Sequence, residues 1–281
     1  MDIKTTDLLD LTHSLAGDYL AGFAYPWQAL DGISDLILTL GPTLPKDEYE
    51  ERESHVWVHK TATVFPSAYL GAPCIIGPNT EVRHCAFIRG SALVGADCVV
   101  GNSVELKNVI LFDHVQVPHY NYVGDSILGY YSHMGAGSIT SNVKSDKTLV
   151  TVKVEEGILE TGRKKFGAIL GDYVEVGCNS VLNPGTVIGR HSSIYPTSCV
   201  RGRCPPTPSG RRPPARSWRR WSSRALHTKN VLWPAGQRTF FMEGVTAPPG
   251  VPLPRWPSSR WSWRGRRPGR RRWGRCWSGG R

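Results

Sequence analysis

A mainly β fold, in the form of a parallel β-helix of hexapeptide repeats, is the prediction that follows from two features of this 281-residue sequence. Nine aliphatic residues stand six positions apart without a slip: Val58, Val64, Leu70, Ile76, Val82, Ile88, Val94, Val100 and Leu106. A second run keeps the same step: Leu170, Val176, Leu182, Ile188, Ile194 and Val200. Neither the helical period of 3.6 nor the period of 2 of an ordinary strand gives this spacing. We expect three hexapeptides to form one coil, and the coils to stack over residues 54–202.

Residues 1–53 precede the repeat and carry a helical pattern. Pro26 is a favourable first residue for a helix, and Gly41 followed by Pro42 is a stop signal. Between them, apolar residues recur every three or four positions: Trp27, Leu30, Ile33, Ile37 and Leu40. We therefore expect a short helical N-terminal cap that closes the open end of the solenoid, where unpaired strand edges would otherwise be exposed.

Two irregularities interrupt the repeat. The units from Leu106 to Leu111 and from Val123 to Leu128 are one residue short, which is expected to trim a corner and keep the coil three-sided. Residues 143–167 form an inserted loop, and the alternating run Leu149-Val150-Thr151-Val152-Lys153-Val154 within it indicates a strand or hairpin. Such a loop either decorates a binding face or is a simple surface insertion.

The basic charge of the chain is confined to its last part. The formal net charge is +11, but residues 1–202 hold 15 Lys+Arg and 22 Asp+Glu, whereas residues 203–281 hold 19 Lys+Arg and the single acid Glu243. That tail is rich in Arg, Trp and Pro and has no helical or strand period. Basic aromatic segments occur in RNA-binding and membrane-binding proteins. These residue types are also those of GC-rich codons, so we expect a disordered tail that is out of frame from near Arg203, and no nucleic-acid partner.

A cytoplasmic protein without a membrane partner is expected. No apolar run approaches the length of a membrane span, and the first residues, MDIKTTD, lack a signal-peptide pattern. No CxxC motif occurs, and Cys74 and Cys98 occupy small inward positions of the repeat. This cysteine usage fits a reducing compartment.

Two stacked cations mark a candidate anion site. Arg89 and Lys107 are 18 residues apart, so they occupy the same position of consecutive coils, about 4.8 Å apart along the axis. Glu105 is expected to neutralise only part of their charge, and a phosphate group would suit the pair. Nearby, His119 and Tyr122 lie in the run VPHYNYVGD. The histidine is either a surface residue or a general base, and spacing alone does not decide between these roles.

The run RGSALVGADCVVGNSVELKNVILFDHVQVPHYNYVGDSILGYYSHMGAGSITSN resembles the acetyltransferase half of the bacterial bifunctional enzyme that makes UDP-N-acetylglucosamine. The likeness covers roughly residues 70–202. It implies a left-handed β-helix, a homotrimer with active sites between subunits, and transfer of acetyl from acetyl-CoA to the amine of glucosamine 1-phosphate. The sequence also resembles the stand-alone β-helix proteins described as nucleotidyltransferase-like or pyrophosphorylase-like.

The resemblance assigns roles to individual residues of this sequence. The phosphate-binding arginine and lysine fall on Arg89 and Lys107, and the catalytic histidine falls on His119. The sugar-phosphate tyrosine falls on Tyr122 and the sugar-binding asparagine on Asn142. The small positions that line the CoA site fall on Ala136, Cys178 and Pro196. A glycine-rich uridylyl-transfer motif has no counterpart in residues 1–53, so uridylyl transfer is not expected.

Two other classes of function stay open. Trimeric β-helix carbonic anhydrases hold zinc with three histidines, and His84 and His119 are 35 residues apart, the length of one full and one shortened coil, with His114 close by. The third histidine of that family, however, would fall on Gly124, and we predict no metal site. The remaining alternative is a non-catalytic scaffold that binds a sugar phosphate or a sugar nucleotide.

Overall fold

The computed structural model describes residues 3–154 and 157–206. Its first part is helical, as predicted. Three α-helices, α1 (Thr5–Leu8), α2 (Gly17–Ala21) and α3 (Ile33–Leu40), alternate with three 3₁₀ turns, Leu11–His13, Pro26–Gly32 and Gly41–Thr43. Pro26 does open its segment, and α3 is followed directly by the turn that begins at Gly41.

Short strands make up nearly all of the rest. They are β1 (Tyr49–Glu53), β2 (Val56–His59), β3 (Thr63–Val64), β4 (Tyr69–Leu70), β5 (Cys74–Ile76), β6 (Glu81–Val82), β7 (Phe87–Ile88), β8 (Ala92–Val94), β9 (Val99–Asn102), β10 (Glu105–Leu111), β11 (Gln116–His119), β12 (Tyr122–Leu128), β13 (His133–Met134), β14 (Ile139–Thr140), β15 (Val150–Val154), β16 (Gly157–Arg163), β17 (Ala168–Leu170), β18 (Glu175–Val176), β19 (Val181–Leu182), β20 (Thr186–Ile188), β21 (Ser193–Ile194), β22 (Cys199–Val200) and β23 (Arg203–Cys204). A mainly β solenoid is thus confirmed.

The coils form a three-sided, left-handed parallel β-helix. Face 1 contains β2, β5, β8, the ends of β10 and β12, β17, β20 and β23. Face 2 contains β3, β6, β9, β11, β13, β18 and β21. Face 3 contains β4, β7, the beginnings of β10 and β12, β14, β19 and β22. Within each face, neighbouring strands are parallel.

The aliphatic residues of the six-residue step fill the interior. From Ile76 to Leu106 and again from Leu170 to Ile188 they are buried, whereas Val64 and Leu70 in the first coil are only partly buried. The two shortened units are the long strands β10 and β12, each of which runs from face 3 through a corner into face 1. The corner survives because Asn108 and Asp125 adopt left-handed backbone conformations, with φ of 56° and 48°.

The N-terminal helices do not close the open end of the solenoid; that part of the prediction was wrong. They lie along face 1, where α3 contacts β8 and β10 and the 3₁₀ segment Pro26–Gly32 contacts β12. The reason is an outward-pointing apolar column on this face, which is fully buried in the folded chain: Ile75, Leu93, Ile110, Ile127, Ile169 and Val187. Packing the N-terminal segment on this column removes its apolar area from water, which stabilises the fold by roughly 25 cal/mol per Å².

The insertion contains the hairpin that its alternation indicated. Strands β15 and β16 pair antiparallel, and the buried Phe166 that follows them stacks on Trp27 of the N-terminal segment. At the other end, β23 pairs with β20 and buries Cys204, so the coil continues two residues past the predicted limit at 202. The predictions for residues 207–281 lie outside the described part of the chain. Among the described residues, no helix is long and apolar enough to cross a membrane.

Candidate functional site

Face 3 brings the two predicted cations together. Phe87 and Ile88 pair with Glu105 and Leu106, so the next residues, Arg89 and Lys107, follow as neighbours on consecutive coils. Each has its own carboxylate: Arg89 Nη1 lies 2.8 Å from Glu105 Oε1, and Lys107 Nζ lies 3.2 Å from both oxygens of Asp125. Glu105 therefore neutralises only part of the charge of the pair, as expected, and Asp125 supplies a second acid that the sequence analysis did not identify.

Asp125 is the centre of the site and was not identified from the sequence. Its side chain is only 4% exposed, and it accepts hydrogen bonds from Lys107, from Asn108 (Nδ2 to Oδ1, 3.0 Å) and from Asn142 (Nδ2 to Oδ2, 2.5 Å). A buried carboxylate requires such charge-assisted partners. The available signal was its place after Gly124 at a coil corner, where aspartate tolerates a left-handed backbone.

Tyr122 and Asn142 join this group. Asn142 Nδ2 also lies 3.2 Å from Tyr122 Oη, and Tyr122 pairs in register with Glu105 on the preceding coil. Burial, together with the nearby charges of Asp125 and Glu105, raises the pKa of Tyr122 above its ordinary value. The phenol therefore keeps its proton at neutral pH and can donate a hydrogen bond to an anion.

His119 lies around a corner from this group, at the end of the face 2 strand β11. Its backbone is held on both sides: its N–H donates to Asn121 Oδ1 (3.1 Å), and its carbonyl accepts from Gly137 N–H (3.0 Å). Asn121 is itself buried and donates to Gly135 O and Ser138 O. Within the described residues no hydrogen bond, ion pair or ring contact engages the His119 imidazole, which is exposed.

The three positions predicted to line a CoA site continue the column of His119. Gln116 pairs with His133, so His119, three residues later, aligns with Ala136. Met134 pairs with Val176, and Val176 pairs with Ile194. The residues two positions after these, Ala136, Cys178 and Pro196, therefore stand in one column with His119. Backbone bonds Asn179 N–H to Ala136 O and Thr197 N–H to Cys178 O follow the same register. Cys178 and Pro196 are exposed and Ala136 is partly buried, so the column forms an open ridge of small residues below the histidine.

The histidines of the zinc alternative do not converge. His84 and His119 lie on either side of Asn102, which pairs with His119 and donates from Nδ2 to His84 O. His114 stacks on Tyr131, with ring centroids 4.4 Å apart. A side chain at Gly124 would meet the Tyr122 hydroxyl at 2.4 Å from its Cβ. Across the described residues, no group of three or more His, Cys, Asp or Glu side chains is arranged to hold a metal ion.

The β-helix is similar to one family model and to parts of longer curated proteins. Residues 73–204, just under half of the chain, match the family model of the GMPPB C-terminal domain. A bifunctional sugar-1-phosphate nucleotidylyltransferase/acetyltransferase of Sulfurisphaera tokodaii is 35% identical over 95 residues, which is 34% of this chain and 24% of that protein. The bifunctional protein GlmU of Methanococcus vannielii is 32% identical over 127 residues, 45% of this chain and 28% of that protein.

These matches confirm the resemblance seen in the sequence. The chain spans only about a quarter of the length of these curated relatives. Among solved structures, perosamine N-acetyltransferase of Caulobacter crescentus, crystallised with CoA and GDP-perosamine, is 17% identical with a TM-score of 0.27, and the alignment covers 48% of this chain and 49% of that one.

Proposed function

We propose that this protein transfers an acetyl group from acetyl-CoA to the amine of a hexosamine phosphate such as glucosamine 1-phosphate. The observation that carries the proposal is one connected polar group: Lys107 and Asn142 contact Asp125, Asn142 also contacts the Tyr122 hydroxyl, and Arg89 lies on the adjacent coil. The name of the Sulfurisphaera tokodaii relative, which pairs sugar-1-phosphate nucleotidylyl transfer with acetyl transfer, supports it.

Face 3 supplies the donors that a sugar phosphate needs. Arg89 offers a guanidinium, Lys107 an ammonium and Tyr122 a neutral hydroxyl, all suited to phosphate oxygens. In the free protein the two cations are held by Glu105 and Asp125. Binding therefore exchanges the contact of Arg89 with Glu105 for one with phosphate, while Asp125 keeps Lys107 in place. Arg89 and Glu105 are both well exposed, so this exchange is inexpensive.

His119 is proposed as the general base. As the sugar amine attacks the thioester carbonyl, a C–N bond forms and the imidazole accepts a proton from the nitrogen. The C–S bond then breaks, and the same proton can be returned to the leaving sulfur, giving the N-acetyl sugar and free CoA. Asn121 and Gly137 fix the backbone of His119, which limits where its ring can reach. Holding amine and thioester together supplies a large part of such a rate enhancement.

The pantetheine arm of CoA is proposed to follow the ridge of Ala136, Cys178 and Pro196. Successive coils advance about 4.8 Å, so this column extends roughly 14 Å from His119. Small side chains at these positions let an extended chain lie close to the backbone. The thiol end would then reach the corner at which His119 meets face 3.

A homotrimer is proposed as the working assembly, in the cytoplasm. The open part of face 3 carries two large apolar side chains, Tyr69 and Phe87, which are 59% and 43% exposed and lie against each other. Contact with another copy would remove them from water. Light scattering on the full chain should give a mass three times that of the 31.1 kDa chain.

An assay of CoA release tests the activity directly. The protein is incubated with acetyl-CoA and glucosamine 1-phosphate, and free thiol is measured; glucose 1-phosphate, which lacks the amine, is the matched control. Thiol release that requires the amine supports the proposal. Binding of both sugar phosphates without thiol release would favour the binding scaffold instead. Metal analysis of the purified protein by mass spectrometry tests the third alternative, because a zinc-dependent hydratase would contain bound zinc.

A further inference from the structure

A polar cleft is lined in part by Asp125, the acidic partner of Lys107. It has a volume of about 440 Å³ and is bounded by three elements: the N-terminal segment at Leu30, Asp31 and Ser34, the corner residues Ser91, Asn108 and Asp125, and the end of β16 with the residues after it, from Gly162 to Lys165. An ion pair holds two of these walls together, since Arg163 Nη1 lies 2.6 Å from Asp31 Oδ2. Neither the resemblance nor the proposed acetyl transfer gives this cleft a role.

The acids of the cleft are already engaged, but two of its cations are not. Asp31 pairs with Arg163, and Asp125 pairs with Lys107. Across the described residues, no hydrogen bond or ion pair engages the ammonium groups of Lys164 and Lys165, and both side chains are exposed. The hydroxyls of Ser34 and Ser91 also make no hydrogen bond within that part of the chain. The cleft therefore presents two positive charges that no acid neutralises and two hydroxyl groups that are free to form hydrogen bonds with a ligand.

The lining indicates the class of ligand. Two uncompensated ammonium groups attract a phosphate, for which lysine acts as a point charge. The hydroxyls and the Asn108 amide suit the hydroxyls of a sugar. Leu30 is the one apolar residue among those that line the cleft, and the lining contains no aromatic ring on which a nucleobase could stack. A volume of this size holds a small phosphorylated sugar.

We propose that this cleft is a second binding site, specific for a sugar phosphate, and that it communicates with the Lys107 site through Asp125. Asn108 provides the link: its Nδ2 donates both to Leu30 O in the cleft wall and to Asp125 Oδ1, the oxygen that also lies 3.2 Å from Lys107 Nζ. A ligand that moves the N-terminal segment or Asn108 changes the acceptor that positions Lys107. Occupancy of one site therefore alters affinity at the other.

Protection of individual lysines from acylation tests the cleft site. Because each lysine is read separately, binding of the anionic probe to the basic tail does not affect the result. The full chain is treated with an amine-reactive acetylating reagent, with and without millimolar glucose 1-phosphate, and modification is read lysine by lysine by mass spectrometry. We expect glucose 1-phosphate to protect Lys164 and Lys165 several-fold, and glucose not to protect them. Inorganic phosphate as a second probe shows how much of the protection the anion alone provides. Lys46 and Lys153, which are exposed and lie outside the cleft, are the matched controls.

Two variants separate this site from the proposed acceptor site. In Arg89→Gln, which removes a cation of the acceptor site whose ion pair is with Glu105, protection of Lys164 and Lys165 should persist. Ser34→Ala should instead raise the half-protecting concentration about fivefold, the value of one hydrogen bond. Equal protection of Lys46 and Lys153 would mean general ionic screening and would overturn the proposal. Loss of protection in Arg89→Gln would place the ligand at the Arg89–Lys107 site and would overturn it as well. Neither result depends on whether acetyl transfer occurs.

Discussion

Lys107 and Asp125 form a partly buried ion pair across consecutive coils, with the ammonium 3.2 Å from both carboxylate oxygens. The acid is almost fully buried, whereas the lysine is 27% exposed. Lys107 is thus held in a fixed position before any ligand arrives. The pair also joins face 3 to the corner that leads to face 1, so the candidate site and the cleft beside it share one structural element.

Removal of Asp125 should destabilise the protein. In Asp125→Ala, Lys107, Asn108 and Asn142 lose their common acceptor, and we expect the free energy of unfolding to fall by about 2–4 kcal/mol. Urea denaturation followed by circular dichroism measures this change. Glu81→Ala is the control, because its ion pair with Arg83 is well exposed and should contribute less than about 1 kcal/mol. Equal effects of the two substitutions would show that Asp125 is not the centre of a stabilising group.

Loss of the His119 imidazole should affect the chemical step. His119→Ala is expected to lower kcat for acetyl transfer to a hexosamine phosphate by roughly 10²- to 10⁴-fold, the usual contribution of general acid–base catalysis, with little change in KM. His84→Ala is the matched control, since His84 is an exposed histidine of the same column two coils away. A full rate in His119→Ala, in protein with unchanged thermal stability, would exclude this residue as the base.

Substitution of Lys107 should act on substrate binding. Lys107→Ala removes a charge-assisted contact to phosphate, so KM for the phosphorylated sugar should rise at least tenfold while kcat changes less. The substitution also leaves Asp125 without its cation, so the Tm must be measured alongside the kinetics. Lys107→Ala/Asp125→Asn removes both partners and should recover much of the stability without restoring KM. Recovery of KM in the double variant would show that Lys107 serves folding alone.

The outward column of face 1 should matter as much as the interior. Ile110 points away from the coil axis but is fully buried beneath the N-terminal segment, and Ile110→Ala should lower the free energy of unfolding by about 2–5 kcal/mol. Phe87→Ala, an outward position on face 3 that is 43% exposed, should have a much smaller effect on the full chain. If Ile110→Ala proves nearly neutral, the N-terminal helices do not pack on this face.

The sequence predicted the coils well because every inward position obeys one local rule. A residue such as Ile88 is buried by the neighbours immediately above and below it in the stack, so a six-residue step is sufficient to locate it. The packing of the N-terminal helices depends instead on Leu93 and Ile110, which recur once per coil and point outward. The outward apolar residue is the middle one of the triplets CII (74–76), ALV (92–94) and VIL (109–111). It recurs only about every 18 residues, so a search for a six-residue period does not detect it.

In the candidate site, too, some features followed from the repeat and others depend on contacts that the repeat does not contain. The stacking of Arg89 and Lys107 followed from register, whereas Tyr122 and Asn142 were named from the family resemblance; the structure places all four residues close together. Asp125 was missed because its importance depends on contacts between coils: Lys107 and Asn108 reach it from β10, and Asn142 reaches it from the residues after β14. No spacing rule contains these contacts. The His119 ring does not contact the others, and its role stays a prediction.

Cysteine reactivity should report the coil interior directly. Burial raises the pKa of the Cys74 and Cys98 thiols to about 12, so at pH 8 both are protonated and shielded, and neither should react with iodoacetamide in the native protein. Cys85 and Cys178 are exposed and should be labelled readily. Peptide mapping by mass spectrometry distinguishes these positions, and labelling in urea supplies the fully accessible reference. Because the thiolate form of Cys74 and Cys98 becomes abundant only as the pH nears 12, raising the pH from 7 to 9 should leave both unlabelled in the native protein. Native labelling of Cys74 or Cys98 at the rate of Cys85 would mean that the coils open, and would contradict the close packing that holds the candidate site together.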